Sequence, residues 1–105
     1  MDSFSKLIRH LRKGQKLTQA RFAKEVGLTA GQLSRLEAGE ILTREVDLVK
    51  MAKVLDTEYE ELKRQYFSDK FSQELLISGC SLETLDLARE KLLRLQSTRS
   101  HGRGL

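Results

Sequence analysis

The 105-residue sequence predicts an all-α protein, built as five short helices followed by a helical hairpin. Three observations carry this reading. Apolar residues recur at spacings of three and four, Ser or Thr stands before most such runs and Gly after several, and nowhere do β-branched residues alternate every second position. Phe4, Leu7, Ile8 and Leu11 line one face of a helix over 4–13, which Ser3 caps and Gly14 stops. Thr18 caps a second helix whose apolar positions are Ala20, Phe22, Ala23 and Val26, and Gly27 ends it. Thr29 opens a short third helix with Leu33 and Leu36 on its buried side and Gly39 beyond it. After a loop near 40–43, Leu48, Met51, Ala52 and Leu55 form helix 4, and Tyr59, Leu62 and Tyr66 form helix 5 after Asp56 and Thr57.

Beyond Phe67 the pattern changes. Phe71, Leu75 and Leu76 predict a short helix, Gly79 breaks it, and Ser81 caps a second arm in which Cys80 and Leu85 are placed to pack as a staple. In that arm Leu82, Leu85, Ala88, Leu92 and Leu95 set out a dimerisation seam, widened by Leu87 and Leu93. Two arms cannot bury so much leucine. The hairpin therefore folds back on helices 1–5 or meets a copy of itself, and the few residues available to cover it favour a homodimer. Ser97 to Leu105 has no periodic apolar residue and is expected to be disordered. The expected division is 1–67, 68–96 and 97–105.

Composition removes several function classes. The chain has no Pro and no Trp, and its longest apolar run, Leu75 to Ile77, is far too short to span a membrane. The start Met1, Asp2, Ser3 lacks an export signal, so a cytoplasmic protein is expected. Cys80 is the single cysteine, and His10 and His101 lack metal-ligand spacing, so neither a disulfide nor a metal site is predicted. No nucleophile, base and orienting group are grouped, Glu25, Glu40 and Asp47 form no carboxylate pair, and no Gly-rich phosphate loop appears; an enzyme and a cofactor are not expected. Cys80 has no His or Arg neighbour to activate it and reads as packing, and His10 as a surface residue.

The 19 Lys and Arg exceed the 15 Asp and Glu by four, but their distribution says more. Residues 1–36 hold eight bases against Asp2 and Glu25, residues 37–69 nine acids against five bases, and residues 70–105 six bases against four acids. A basic N-terminal third is the electrostatic footprint of a polyanion partner.

The informative stretch is 17–39, LTQARFAKEVGLTAGQLSRLEAG. Two short helices separated by only Gly27 and Leu28 cannot lie antiparallel, so the second crosses the first steeply, with Ala23, Val26, Leu33 and Leu36 in the angle. The outer face of helix 3 then carries Ala30, Gly31, Gln32, Ser34 and Arg35, a set of small or hydrogen-bonding side chains without an acid that suits a major groove. Thr18 and Thr29 at the helix starts, with Arg9, Lys13 and Lys16, are the candidate phosphate contacts.

These residues resemble the Cro and lambda-repressor type of helix-turn-helix regulators, the Xre family. The likeness spans about residues 4–66 and rests on I-R-x-L-R at 8–12, T-Q-x-x-F-A at 18–23, V-G at 26–27, L-S-R-L-E-x-G at 33–39 and L-x-x-M-A-x-x-L at 48–55. The resemblance implies a five-helix lambda-repressor-like domain, a phosphate contact from Gln19, base reading from Ala30, Gly31 and Ser34 with Gln32 and Arg35 beside them, and a structural ion pair between Arg12 and Glu37. The chain departs from the family at Ala30 and Gly31, where paired polar readers are common. Glu40 stands where a base is frequent, and the usual proline before helix 4 is missing. LLISGCSLETLDLAREKL at 75–92 resembles the helix-loop-helix through which Sin-type repressors dimerise and bind an antirepressor.

The expectation is a transcriptional regulator, a repressor, that binds double-stranded inverted-repeat DNA as a homodimer. Residues 68–96 are the expected docking arm for an antirepressor. The alternatives are an antitoxin, with 68–96 gripping a toxin, and an adaptor that does not read DNA.

Overall fold

The structure is a computed structural model that describes the backbone of residues 3–103 and the side chains of residues 3–99. Six α-helices follow one another: α1 (Phe4–Gly14), α2 (Gln19–Val26), α3 (Ala30–Glu37), α4 (Asp47–Val54), α5 (Tyr59–Ser78) and α6 (Leu82–Arg103). Among the described residues there is no strand. The chain divides into two compact units between Lys70 and Phe71.

In the first unit the local signals do what their chemistry requires. Ser3, Thr18 and Thr29 sit in extended backbone and accept the N–H of Lys6, Arg21 and Gln32, satisfying donors that the first helical turn leaves open. Phe4, Ile8, Phe22, Ala23, Val26, Leu33, Leu36, Leu48, Met51, Ala52, Leu55, Leu62 and Tyr66 form one buried core. Leu7, Leu11 and Tyr59 pack against it half-buried. Ala20, read from the sequence as a core position, is exposed instead, because helical periodicity turns it away from the face that Phe22, Ala23 and Val26 bury. α2 packs on α3 and α4, and α1 packs on α3.

The segment before α4 is held without proline. Thr43 Oγ1 donates to Asp47 Oδ2 at 2.7 Å, the Arg44 N–H donates to the same oxygen at 3.2 Å, and the Tyr66 hydroxyl donates to the Thr43 carbonyl at 2.8 Å. Asp47 is almost fully buried. Burial alone would push its carboxyl up, but the hydrogen bonds from Thr43 and Arg44 and the Arg44 charge hold it below the ordinary value. At the other end of the core, Asp69 accepts the Phe4 N–H at 2.8 Å and the Phe4 and Tyr66 rings meet edge to face, tying the start of α1 to α5.

The second unit corrects three expectations. Helix 5 and the first arm of the hairpin are one continuous helix, α5, because Phe67 to Lys70 contain no Gly or Pro and helix propagation needs no apolar residue. Gly79 does end it, at φ +71°. The tail expected to be disordered continues α6 as far as Arg103, since residues 97–101 carry no breaker, and residues 104 and 105 lie outside the described residues. Cys80 is exposed rather than packed, so the expected staple is not formed. Along α6 Leu82, Leu85, Ala88, Leu92 and Leu95 are all exposed. Phe71, Leu75, Thr84, Leu85 and Ala88 line an apolar groove within the hairpin.

Candidate nucleic-acid interface

The steep crossing of α2 and α3 begins at Gly27. Its φ of +78° closes α2 with a left-handed residue, and the Leu28 N–H then returns to the Ala23 carbonyl at 2.8 Å. A side chain at that φ would be strained, so glycine is required there by backbone conformation. Only two residues later Thr29 starts α3, and Leu33 and Leu36 turn into the core with less than 2% exposure. Helical periodicity then forces the opposite face outward. Ala30, Gly31, Gln32, Ser34 and Arg35 are all exposed, as the sequence predicts. Among the described residues Arg35 has no ion-pair partner, so its guanidinium is available for a bidentate contact. A Cβ at Gly31 would meet nothing nearer than Thr29 Oγ1 at 3.9 Å; no neighbour in the chain demands glycine at that point of the face.

The angle of α3 is fixed from behind by a buried charge cluster. Arg12 Nε and Nη2 donate to the two carboxylate oxygens of Glu37 at 2.6 and 2.9 Å, and Arg12 Nη1 donates to the Leu17 carbonyl at 2.8 Å. The two side chains are 9% and 3% exposed, so this bidentate pair works at low local dielectric. Gln19 Nε2 adds a third donor to Glu37 at 2.9 Å. Burial alone would raise the Glu37 carboxyl; the hydrogen bonds from Arg12 and Gln19, then the charges of Arg12 and Arg9, outweigh it and hold the group below its ordinary 4.5. One carboxylate thus joins the end of α3 to α1 and to the first residue of α2.

The Arg12–Glu37 pair lies where the sequence resemblance placed it. The Gln19 link was not foreseen, and one amide N–H and the side-chain carbonyl of Gln19 remain for other partners. Gln32 also does more than face outward. Thr29 Oγ1 accepts its N–H at 3.0 Å while its own Oε1 accepts the Thr29 N–H at 2.9 Å, a reciprocal capping box. The signal was present in the sequence as T-x-x-Q at 29–32.

Of the candidate phosphate contacts, Arg9, Lys13, Lys16, Thr18 and Thr29 are exposed and Gln19 is half-buried. Arg9 and Lys13 stand one turn apart on α1, and Lys16 sits in the turn after it with φ +58°. Thr18 and Thr29 spend their hydroxyl oxygens as caps but keep their O–H hydrogens as donors toward solvent.

Comparison with known proteins agrees with this geometry. The helix-turn-helix family model matches residues 8–62. The cryptic phage CTXphi transcriptional repressor RstR of Vibrio cholerae serotype O1 is 31% identical over 84 residues, covering 80% of this chain and 74% of that protein. The P22 c2 repressor, solved in complex with a synthetic operator, superposes with a TM-score of 0.55 at 27% identity, over 59% of this chain and 94% of its own. A chain of the SinR protein/SinI protein complex shares the fold over 92% of this chain and 97% of its own, with a TM-score of 0.52 at 20% identity. Among the described residues no helix is long and apolar enough to cross a membrane. With a family match over more than half its length, on the same residues that build the α2–turn–α3 unit and its buried ion pair, this chain belongs to the helix-turn-helix family of the Cro and lambda-repressor type.

Proposed function

We propose that the chain is a transcriptional repressor that binds an inverted-repeat operator as a homodimer, with α3 in the major groove. The observation that carries this is the outer face of α3: five exposed residues without an acid, on a helix whose inner face is fully buried and whose end is clamped by Arg12 and Glu37. Such rigidity favours base readout, because side chains of a helix that does not rock keep their register in the groove. Kinship with a phage repressor and with an operator-bound repressor supports the same reading. In this arrangement Arg35 reads a base pair, Ser34 and Gln32 add contacts, and Ala30 and Gly31 let the first turn of α3 approach the base edges. Arg9, Lys13, Lys16, Thr18, Gln19 and Thr29 grip phosphates. Two-fold symmetry then sets half-sites about 34–36 Å apart, or a multiple of one helical turn.

Selection of bound sequences from a random duplex pool, repeated at several salt concentrations, tests the proposal. A symmetric site is expected to emerge; recovery of no common sequence, with no binding at low salt, overturns it. Two variants separate the roles. Arg35→Ala is expected to lose about 1–3 kcal/mol of discrimination at one base pair per half-site. Equal losses on selected and scrambled duplexes would remove Arg35 from base reading. Lys16→Ala should weaken binding to every duplex alike and lower the slope of log affinity against log salt by about one per protomer; an unchanged slope would take Lys16 off the phosphate backbone.

A further inference from the structure

Gln32 stands on the face of α3 assigned to base reading, yet half of its amide is already used. A free glutamine can pair with adenine through both ends of its amide, the oxygen accepting from N6 and the nitrogen donating to N7. Here Oε1 accepts the Thr29 N–H at 2.9 Å, and only the oxygen of an amide can accept, so this bond fixes which end faces outward. The outward end is the NH2 group. Thr29 Oγ1 is committed in the same way to the Gln32 N–H, which leaves its hydroxyl as a donor. Arg35, three residues further along the helix, is donor-only by nature and has no ion-pair partner among the described residues. Ala30 and Gly31 add no polar side-chain atom, and Ser34 alone can both give and accept.

The geometry points to a donor-only amide at Gln32: the capping box turns it from a bidentate adenine reader into a selector of acceptor edges, guanine O6 and N7, thymine O4 or adenine N7. Cytosine, which offers only its amino group in the major groove, would meet a second donor there, and discrimination against it follows from that unpaired encounter. This rests on the DNA-binding reading above and sharpens it, since it names the base chemistry that the half-site must present beneath one more residue than Arg35.

The test is sequence selection with the full-length chain and with Gln32→Glu. Glutamate retains the oxygen that caps Thr29 and so keeps the helix start, but replaces the outward donor by an acceptor. Thermal unfolding should therefore match the parent. The parent is expected to show a preference against cytosine at one position per half-site besides the one governed by Arg35. Gln32→Glu should lose that preference by about ten-fold, with cytosine, whose N4 donates, now favoured there. If the parent selects a symmetric site with cytosine at that position, or if the Gln32→Glu variant selects the same bases as the parent, the donor-only amide is wrong and the DNA-binding proposal stands. If the parent selects no sequence at all, both fall together.

Discussion

Glu37→Ala is expected to destabilise the first unit by about 3–5 kcal/mol, a large part of the ~5–15 kcal/mol that holds an ordinary domain folded. The cost does not come from the pair's own net attraction, which the loss of hydration of both charges largely offsets. It comes from leaving the Arg12 side chain, only 9% exposed, with the Leu17 carbonyl alone to receive its five donors. For a unit of this size each kcal/mol corresponds to about 4–8 °C, so the unfolding midpoint should fall by at least about 12 °C. Replacing both partners, as Arg12→Met with Glu37→Leu, should recover much of the loss, because no unpaired charge then remains inside. A loss below about 1 kcal/mol for the single variant would place the pair among surface ion pairs and contradict its burial.

The same carboxylate, with Asp47, makes folding stability depend on pH. Glu37 in the folded chain lies below its ordinary 4.5, and Asp47 below its ordinary 3.8, so both release protons more readily folded than unfolded. Their stabilisation is complete above the unfolded values and disappears as the pH falls through the lower folded ones. Stability should therefore hold level from neutral pH to about 5 and decline below it.

How much of this was legible beforehand depends on how far apart the interacting residues are. Caps at Ser3, Thr18 and Thr29 act on N–H groups within three residues, so the sequence displays them directly. The buried face of each helix in the first unit follows from the 3.6-residue repeat, and only Ala20 misled, as an apolar residue on a helix with more apolar positions than buried ones. The clamp of Thr43, Asp47 and Tyr66 was invisible, because Tyr66 reaches Thr43 across 23 positions of sequence and neither residue type announces the other. Gln19 on Glu37 is the same case across 18 positions. The Arg12–Glu37 pair spans 25 positions and was reached only through family resemblance, never through spacing. The continuity of α5 was missed for the opposite reason: apolar periodicity reports where a helix is buried, and past Lys70 this one is mostly exposed, so the signal lapsed while the helix did not.

That exposure leads to the second large effect. Leu85 and Leu92 are seven positions apart on α6, with Ala88 and Leu95 completing an alternation of four and three, the register of a helix seam that packs against another helix. Leu85 and Leu92 are 49% and 53% exposed, and an apolar stripe of this kind exposed along a helix marks an interaction surface. In the homodimer proposed above this stripe is the subunit contact, and Leu85→Glu with Leu92→Glu should leave the chain monomeric in sedimentation or light scattering. Since both side chains already face solvent within one chain, folding stability of the monomer should change little, by roughly 0.5 kcal/mol or less per site. DNA binding should change greatly. A dimer holds its second reading helix at high effective concentration over the second half-site, an advantage of about 10²–10⁴ that a monomer forfeits. The double variant should thus lose at least about 100-fold on a two-half-site duplex while binding an isolated half-site as the parent does. Equal losses on both duplexes would mean that the reading helix itself was damaged, and an unchanged molecular mass would move the subunit contact away from this stripe. Only the combination of lost dimer, preserved half-site affinity and weakened full-site affinity ties the leucines of α6 to the work of α3.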